Sequence, residues 1–319
     1  MLLLGLDLGG TSSRALLADQ HGHRLGVGTA AGGNPTAHPL PDALAAIETA
    51  LRAALGTSDP DRVTAAVIGM AGVGRMAEPD VRDAFGAMWR RVGLRCPYRV
   101  VADVVVAFAA GTPAPDGTLL LAGTGAAAAQ LRDRTTVRIA DGHGWLLGDL
   151  GSGFWLGREA VRATLAHLDG WAQTSPLVRQ VLSELLGVDH VPPSREAVSA
   201  VVNAVHARPP VALARLASVV CEAATSDPVA ADIVTRAVGH LIDSANRVRT
   251  GDGPLVLAGS LLTADTPLAA ELRAAAQTQW PGVTIATATD GAAGAVWLAA
   301  LTPPGAVSPD ALHTTLLGG

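Results

Sequence analysis

The chain has 319 residues, of which 49% are hydrophobic, 16% charged and 3% aromatic, with a net charge of −5. Globular chains carry about 25% charged residues, so this one is poor in charge. All 23 basic residues are Arg. The absence of Lys removes the Walker-A loop, the strand Lys of protein kinases, and Schiff-base or pyridoxal chemistry, each of which needs a Lys amine. Phosphate chemistry on this chain must use backbone amides, Arg, metal ions and helix dipoles.

The length predicts two domains, because single cores stop growing near about 250–300 residues. Scattered Arg and a negative net charge argue against a nucleic-acid footprint, which would be a clustered basic face. Cys96 and Cys221 lie far apart with no CxxC, the pattern of buried thiols in a reducing compartment. The N-terminus is apolar but lacks a basic region and meets Asp7 within a few residues, so it does not read as a signal peptide. No apolar run reaches the roughly 18 residues of a membrane span. A cytoplasmic protein without membrane or nucleic-acid partners is expected.

Residues 2–19 read as strand, Gly-rich turn, strand (LLLGLDLGGTSSRALLAD), and residues 24–29 extend the same sheet. After the Gly/Pro stretch 32–39, Leu44, Ile47, Leu51 and Leu55 fall at helical spacing. A buried strand over 63–69 precedes a helix with Val81, Phe85, Trp89 and Val92 on one face. A strand over 98–102 then stops at Asp103, where a third helix begins. This order predicts an open α/β layer with a mixed sheet. The segment 111–117 (GTPAPDG) is the best linker. Beyond it, 118–131 (TLLLAGTGAAAAQL) repeats the strand, Gly-Thr turn, strand pattern of the beginning, with a third strand near 137–139, which suggests an internal duplication. Residues 151–249 are almost all helical, broken at Pro176, Pro192, Pro209 and Pro228. Strands at 253–260 and 283–286 alternate with helices at 268–279 and 291–301, and the tail from Thr302 reads as frayed. The reading is two α/β domains, 1–115 and 116–319, with a helical insertion in the second and helix 291–301 as a candidate to pack at the domain interface.

Several segments carry chemistry. Asp7 ends a strand beside Gly9, Gly10, Thr11 and Ser12; such a turn offers consecutive amides to phosphate oxygens and a carboxylate to Mg²⁺. The same residues also suit an ordinary Gly-Gly hairpin. Gly123, Thr124 and Gly125 repeat the design without a carboxylate, and two such hairpins in two halves could clamp one phosphate chain. Asp103 stands at a strand end and a helix start, where open α/β sheets place active sites; it reads as a general base or as a capping residue. The stretch 141–153 (DGHGWLLGDLGSG) opens into a helix near Phe154. Long Gly-rich loops at helix entrances are usually functional. Asp149 suits a sugar or hydroxyl acceptor with Trp145 or His143 as a wall, whereas His143 and Asp149 lack a third ligand for a metal. Gly259 and Ser260, at a strand-turn junction, could let an adenosine ring approach the backbone. His23, His38 and His206 read as surface or loop residues.

Taken in order, these pieces resemble the sugar-kinase and actin superfamily, and within it the BadF/BadG/BcrA/BcrD-type ATPase family, most closely its N-acetylglucosamine kinase branch. The resemblance runs from Leu4 to about Leu301, and its most specific element is GHGWLLGDLGSGFWLGREAV. It implies two RNase-H-like (actin-like ATPase) domains with ATP in the cleft between them. It further implies that Asp7 positions Mg²⁺ and that Gly9, Gly10 and Thr11 bind phosphate. Thr124 and Gly125 would form the second phosphate loop and border the sugar. Asn34 and Asp149 would hold sugar hydroxyls, Asp103 would take the proton from the attacking hydroxyl, and Gly259 and Ser260 would face adenosine. The implied reaction is phosphorylation of the 6-hydroxyl of N-acetylglucosamine, with glucosamine or another hexosamine such as N-acetylmuramic acid as alternatives and a homodimer as the default assembly. Two departures bear on sugar identity. His143 stands where animal members have a sugar-facing Trp, and Leu150 replaces an acidic residue.

The same family contains ATPase activators of 2-hydroxyacyl-CoA dehydratases that bridge two subunits with an iron–sulfur cluster. That needs four converging thiolates, and neither Cys96 nor Cys221 has a Gly-Cys setting. A sugar-responsive regulator on the same fold usually carries a helix-turn-helix before the first phosphate loop, which here starts at residue 5.

Overall fold

Three antiparallel strands open the chain: β1 (Leu2–Leu8), β2 (Ser12–Asp19) and β3 (Arg24–Ala31). In this computed structural model, which describes residues 1–301 and 309–318, α1 (Leu40–Leu55) follows and buries Leu44, Ile47, Leu51 and Leu55. These are the positions that helical spacing singles out. Next come β4 (Val63–Met70), α2 (Pro79–Arg91), β5 (Tyr98–Ala102) and α3 (Asp103–Ala109). Strands β1, β4 and β5 are parallel neighbours, giving the sheet order β3-β2-β1-β4-β5. Strand β1 is buried on both faces except at Asp7, as a central strand covered by helices must be.

A second sheet repeats this plan. It comprises β6 (Gly117–Ala122), β7 (Ala126–Arg132), β8 (Thr135–Asp141) and, after a helical insertion, β9 (Leu255–Ala258) and β10 (Ile285–Thr287). Its order, β10-β9-β6-β7-β8, matches the first sheet strand for strand, with β6 in the place of β1 and β9 parallel to it in the place of β4. The duplication expected from the two Gly-Thr turns is therefore present in the topology.

The insertion consists of α4 (Gly153–Leu168), α5 (Pro176–Leu186), α6 (Arg195–His206), α7 (Ala217–Ala223) and α8 (Pro228–Val248), with a 3-10 turn over Pro210–Leu216. Pro176 and Pro228 sit in the first turns of α5 and α8, where the missing N–H costs nothing. Asp227 caps α8 through the amides of Val229 and Ala230 and also accepts from Leu177 N at 2.7 Å, tying α5 to α8. Between β9 and β10 lie the single-turn α9 (Ser260–Thr263), which periodicity does not predict, and α10 (Pro267–Gln279).

The compact units do not divide at one point as the linker predicts. One unit holds Met1–Asp116, Leu131–Thr136 and Ala286–Gly319, and the other Gly117–Gln130 and Val137–Ile285. The sequence assigns 116–319 to one domain; the difference arises from α11 (Gly291–Ala300). This helix is buried on all sides, and a side chain at Gly5 of β1 would overlap Ala292 O of α11. The tail also differs from expectation. Residues 309–317 form α12 (Pro309–Leu317), held where His313 Nε2 lies 2.8 Å from Ala109 O and its ring meets Trp297 edge-on. The expected fraying from Thr302 otherwise concerns 302–308 and 319, outside the described residues. Among the described residues no helix is long and apolar enough to cross a membrane.

Candidate active site

The first unit carries a Gly-rich turn with open amides and a set of carboxylates. Strand β1 delivers Asp7, and the chain turns at Gly9, whose N–H donates to Ser12 O at 2.9 Å. The next two amides, Gly10 and Thr11, have no acceptor among the described residues, and both residues are exposed. Consecutive free amides of this kind form a concavity for anion oxygens. The far side of the loop is pinned by His38, whose Nε2 lies 2.6 Å from Gly10 O. A carbonyl can only accept, so Nε2 carries the proton. Asn34 is buried and its Oδ1 accepts from Thr36 N at 2.9 Å and Thr36 Oγ1 at 2.5 Å. Its Nδ2 is the remaining donor.

Asp103 begins α3 and its Oδ1 accepts from Val104 N at 2.9 Å. Burial raises its pKa above the usual carboxylate range. Asp7 is raised further, to about 6, first by burial and then by the charge of Asp103, with Asp290 adding and Arg14 opposing. Asp290 caps α11 through the amides of Ala292 and Ala293, and its Oδ2 accepts from Arg24 Nη1 at 2.8 Å. Gly291 follows at once, and a side chain there would overlap the Asp7 carboxylate. Asp103 is the first residue of the helix after β5, and Asp290 caps the helix after β10. They are counterparts in the duplication, a relation that sequence inspection of the first domain alone misses.

The second unit repeats the loop. Gly123 N donates to Gly125 O at 2.9 Å, and the amides of Thr124 and Gly125 have no acceptor among the described residues. The carbonyls of Gly123 and Thr124 accept from Gly153 N and Phe154 N at 2.8 and 3.2 Å, while Ser152 Oγ accepts from Trp155 N at 3.2 Å. The first amides of α4 are thus spent on holding the loop. Ser260 adjoins Gly123, and Gly259, at φ +84°, lies so close to Ala122 O that a side chain would overlap it.

Asp149 sits in this unit at φ +56°, left-handed backbone that Asp tolerates better than most residues. It is buried, and burial raises its pKa against the opposing amide hydrogen bonds from Ala126 and Gly144. The organiser of the loop is Asp141, whose two oxygens accept from Asp149 N at 2.6 Å and Leu150 N at 2.8 Å. Sequence reasoning gives Asp141 no role. Its position one strand-end before a Gly-rich loop is the available signal. His143 and Trp145 diverge: Trp145 packs on Phe154 with ring centroids 5.4 Å apart, whereas His143 lines a hollow with His240 and Arg247 of α8.

In the first unit, then, Asp7, Gly9, Gly10, Thr11 and Ser12 come together with the charges of Asp103 and Asp290. In the second, Gly123, Thr124, Gly125, Asp149, Gly259 and Ser260 gather. His38, read from the sequence as a surface or loop residue, lies in a loop and also braces the first Gly-rich turn.

The sequence matches the BadF/BadG/BcrA/BcrD ATPase family over residues 4–299. The chain belongs to that family. Over 194 residues it is 26% identical to an N-acetyl-D-glucosamine kinase of Dictyostelium discoideum, the match covering 58% of this chain and 60% of that kinase. The chain thus spans less than two thirds of this curated relative. Among solved structures, a candidate N-acetylglucosamine kinase from Chromobacterium violaceum is 26% identical with a TM-score of 0.70, covering 93% of this chain and 98% of the other. A second, from Porphyromonas gingivalis, is 20% identical with a TM-score of 0.71 and 98% coverage of both chains, a likeness of fold. The fold is the two-domain actin-like ATPase fold.

For a BadF/BadG/BcrA/BcrD ATPase, two fits decide which cofactor chemistry the residues support. The thiols of Cys96 and Cys221 are both pushed up to about 11 by burial, and neither belongs to a group of three candidate metal ligands among the described residues. Asp7 is different. It is desolvated and faces two further carboxylate charges, so a cation beside it relieves repulsion. No group of three His, Cys, Asp or Glu among the described residues forms a metal cage. A single carboxylate of this kind could hold a divalent cation that completes its shell with water and substrate phosphates.

Proposed function

We propose that the chain transfers the γ-phosphoryl group of ATP to a hydroxyl of an amino sugar, with the 6-hydroxyl of N-acetylglucosamine as first candidate. One observation carries the reading: the same pair of open amides follows the first strand of each sheet, Gly10 and Thr11 in one unit, Thr124 and Gly125 in the other. Two anion concavities built from backbone suit a polyphosphate substrate on a chain that has no Lys. The names of the similar proteins supply the sugar.

In this reading Asp103 is the general base. Its Oδ1 is held by Val104 N, which leaves Oδ2 to take the hydroxyl proton. Its raised pKa makes it a better proton acceptor than an exposed carboxylate. Asn34 donates from Nδ2 to a sugar hydroxyl, and Asp149 accepts from another. His143 or Trp145 borders the sugar, Ser12 completes the first phosphate loop, and Gly259 and Ser260 face the adenosine. Asp7 would hold Mg²⁺, which when bound neutralises charge on the transferring phosphoryl group. The same reading makes the protein a cytoplasmic homodimer, supported by its two free cysteines and by the prevalence of such dimers.

ADP release measured over a panel of N-acetylglucosamine, glucosamine, N-acetylmannosamine, N-acetylmuramic acid and glucose, with the phosphorylated position read by NMR, tests the proposal. Turnover highest on N-acetylglucosamine, with phosphate on O6, is expected. ATP hydrolysis that no sugar accelerates would refute it.

A further inference from the structure

The helical insertion contains a hollow of about 370 Å³ between the C-terminal ends of α5 and α6 and the 3-10 turn over Pro210–Leu216. That size lies within the range of small-molecule sites, about 300–1,000 Å³. Its lining is divided in character. Leu185 and Leu216, both buried, form an apolar part with Val205 and Leu213. Arg208, Arg215 and Glu184 supply the charge. Both arginines are exposed, and neither guanidinium makes an ion pair or hydrogen bond with another described residue. Glu184 faces the same hollow without pairing to either. Three charges around one space thus stay apart, leaving two guanidiniums whose planar donor sets match carboxylate, sulfonate or phosphate oxygens.

The wall of this hollow is also the brace of the second phosphate-type loop. The 3-10 turn lies directly on α4: a side chain at Gly157 would overlap Leu213 O, and one at Gly153 would come within 3.4 Å of Ala214 Cβ. The N–H groups of Gly153 and Phe154 in turn hold the carbonyls of Gly123 and Thr124. Leu213 therefore touches the hollow on one side and the helix that carries the loop on the other.

We propose that this hollow binds a small organic anion with an apolar body, and that its occupancy is felt at residues 123–125 through the 3-10 turn and α4. Arg208 and Arg215 take the anionic group, and Leu185, Val205 and Leu216 take the apolar part. Filling the space beneath Leu213 restrains the turn, and with it the first turn of α4. The binding claim stands apart from the kinase reading; only its consequence for catalysis rests on that reading.

The probe is 8-anilinonaphthalene-1-sulfonate, an apolar double ring system bearing one sulfonate, titrated by fluorescence against the full-length protein. Saturable binding at one site is expected, weakened at least tenfold in Arg208→Ala/Arg215→Ala and unchanged in Arg179→Ala, an exposed arginine of α5 outside the hollow. Equal binding by the double variant, with a cooperative thermal transition retained, would overturn the site. Hydrogen exchange with and without the probe tests the link. Slower exchange of the Gly153 and Phe154 amides on binding supports it, and unchanged exchange there in the saturated protein overturns it. Neither readout uses turnover, so failure of the kinase proposal leaves both interpretable.

Discussion

The carboxylate of Asp149 fills the space that a side chain at position 125 would need: a Cβ there would lie 2.8 Å from Oδ2. The carboxylate is held in place by its own left-handed backbone, whose N–H is tied to Asp141 Oδ1. Gly125→Ala should therefore displace Asp149 from its place against the loop, costing about 1–3 kcal/mol. Urea denaturation measures the loss. A wild-type midpoint would mean that the loop accommodates the methyl group.

Asp141 holds the same loop from the other end. Asp141→Ala removes the acceptor for Asp149 N and Leu150 N and should destabilise the loop by about 2–4 kcal/mol. The specific readout is hydrogen exchange at Asp149 and Leu150, which should accelerate while core amides such as Leu120 keep their protection.

Asp7 makes a prediction about pH. Its carboxyl titrates near 6 in the folded protein against an ordinary value of 3.8. The folded state then binds more protons than the unfolded state between those values, so this group costs stability progressively as pH rises from 4 to 6 and fully above 6. In buffer without divalent cations, Asp7→Asn should be more stable than wild type by about 1–3 kcal/mol at pH 8 and no more stable at pH 3.5. A gain that is equal at both pH values would exclude repulsion as its origin. Added Mg²⁺ should stabilise the wild type and leave the variant unchanged.

Asp103→Asn separates chemistry from folding. Among the described residues this side chain accepts from Val104 N, a bond that Asn can accept as well. The thermal transition should hold or rise while sugar phosphorylation falls roughly 10²–10⁴-fold. Near-normal turnover in the purified variant would remove Asp103 from the mechanism.

Gly5 tests how the first unit is assembled. A methyl group there would overlap Ala292 O and crowd Val296 N of α11, both backbone atoms of a helix buried on all sides. Gly5→Ala should cost more than about 3 kcal/mol, with α11 losing protection together with β1. A small, uniform change in melting temperature would show that α11 can shift outward without unfolding.

Much of the fold was legible from short-range signals. Alternation and Gly-Thr turns located β1, β2, β6 and β7, and the repeat of that pattern anticipated two sheets of identical order. The helix breaks read at Pro176 and Pro228 fall where α5 and α8 start, because proline fits the first turn. The two glycine turns were also readable, since glycine in a tight turn leaves amides exposed. His38 was not. A lone histidine in a Gly/Pro stretch carries no sign of the carbonyl it will meet across the loop. Nor does periodicity find α12, whose buried Leu312, His313 and Leu316 follow a Pro/Gly segment.

The sequence by itself determined the chemistry open to this protein: without Lys, phosphate must be met by backbone, Arg and metal, and two glycine-rich turns are where the backbone opens. Those are properties of composition and of neighbours a few residues apart. Tertiary structure alone decided which carboxylates share a field and where α11 belongs. Asp103 and Asp290 raise the cost of ionising Asp7 only because folding brings distant strand and helix ends together away from water. The membership of α11 in the first unit rests on a missing side chain at Gly5. Coulomb energy and steric exclusion depend on distance through space, which separation along the chain does not specify.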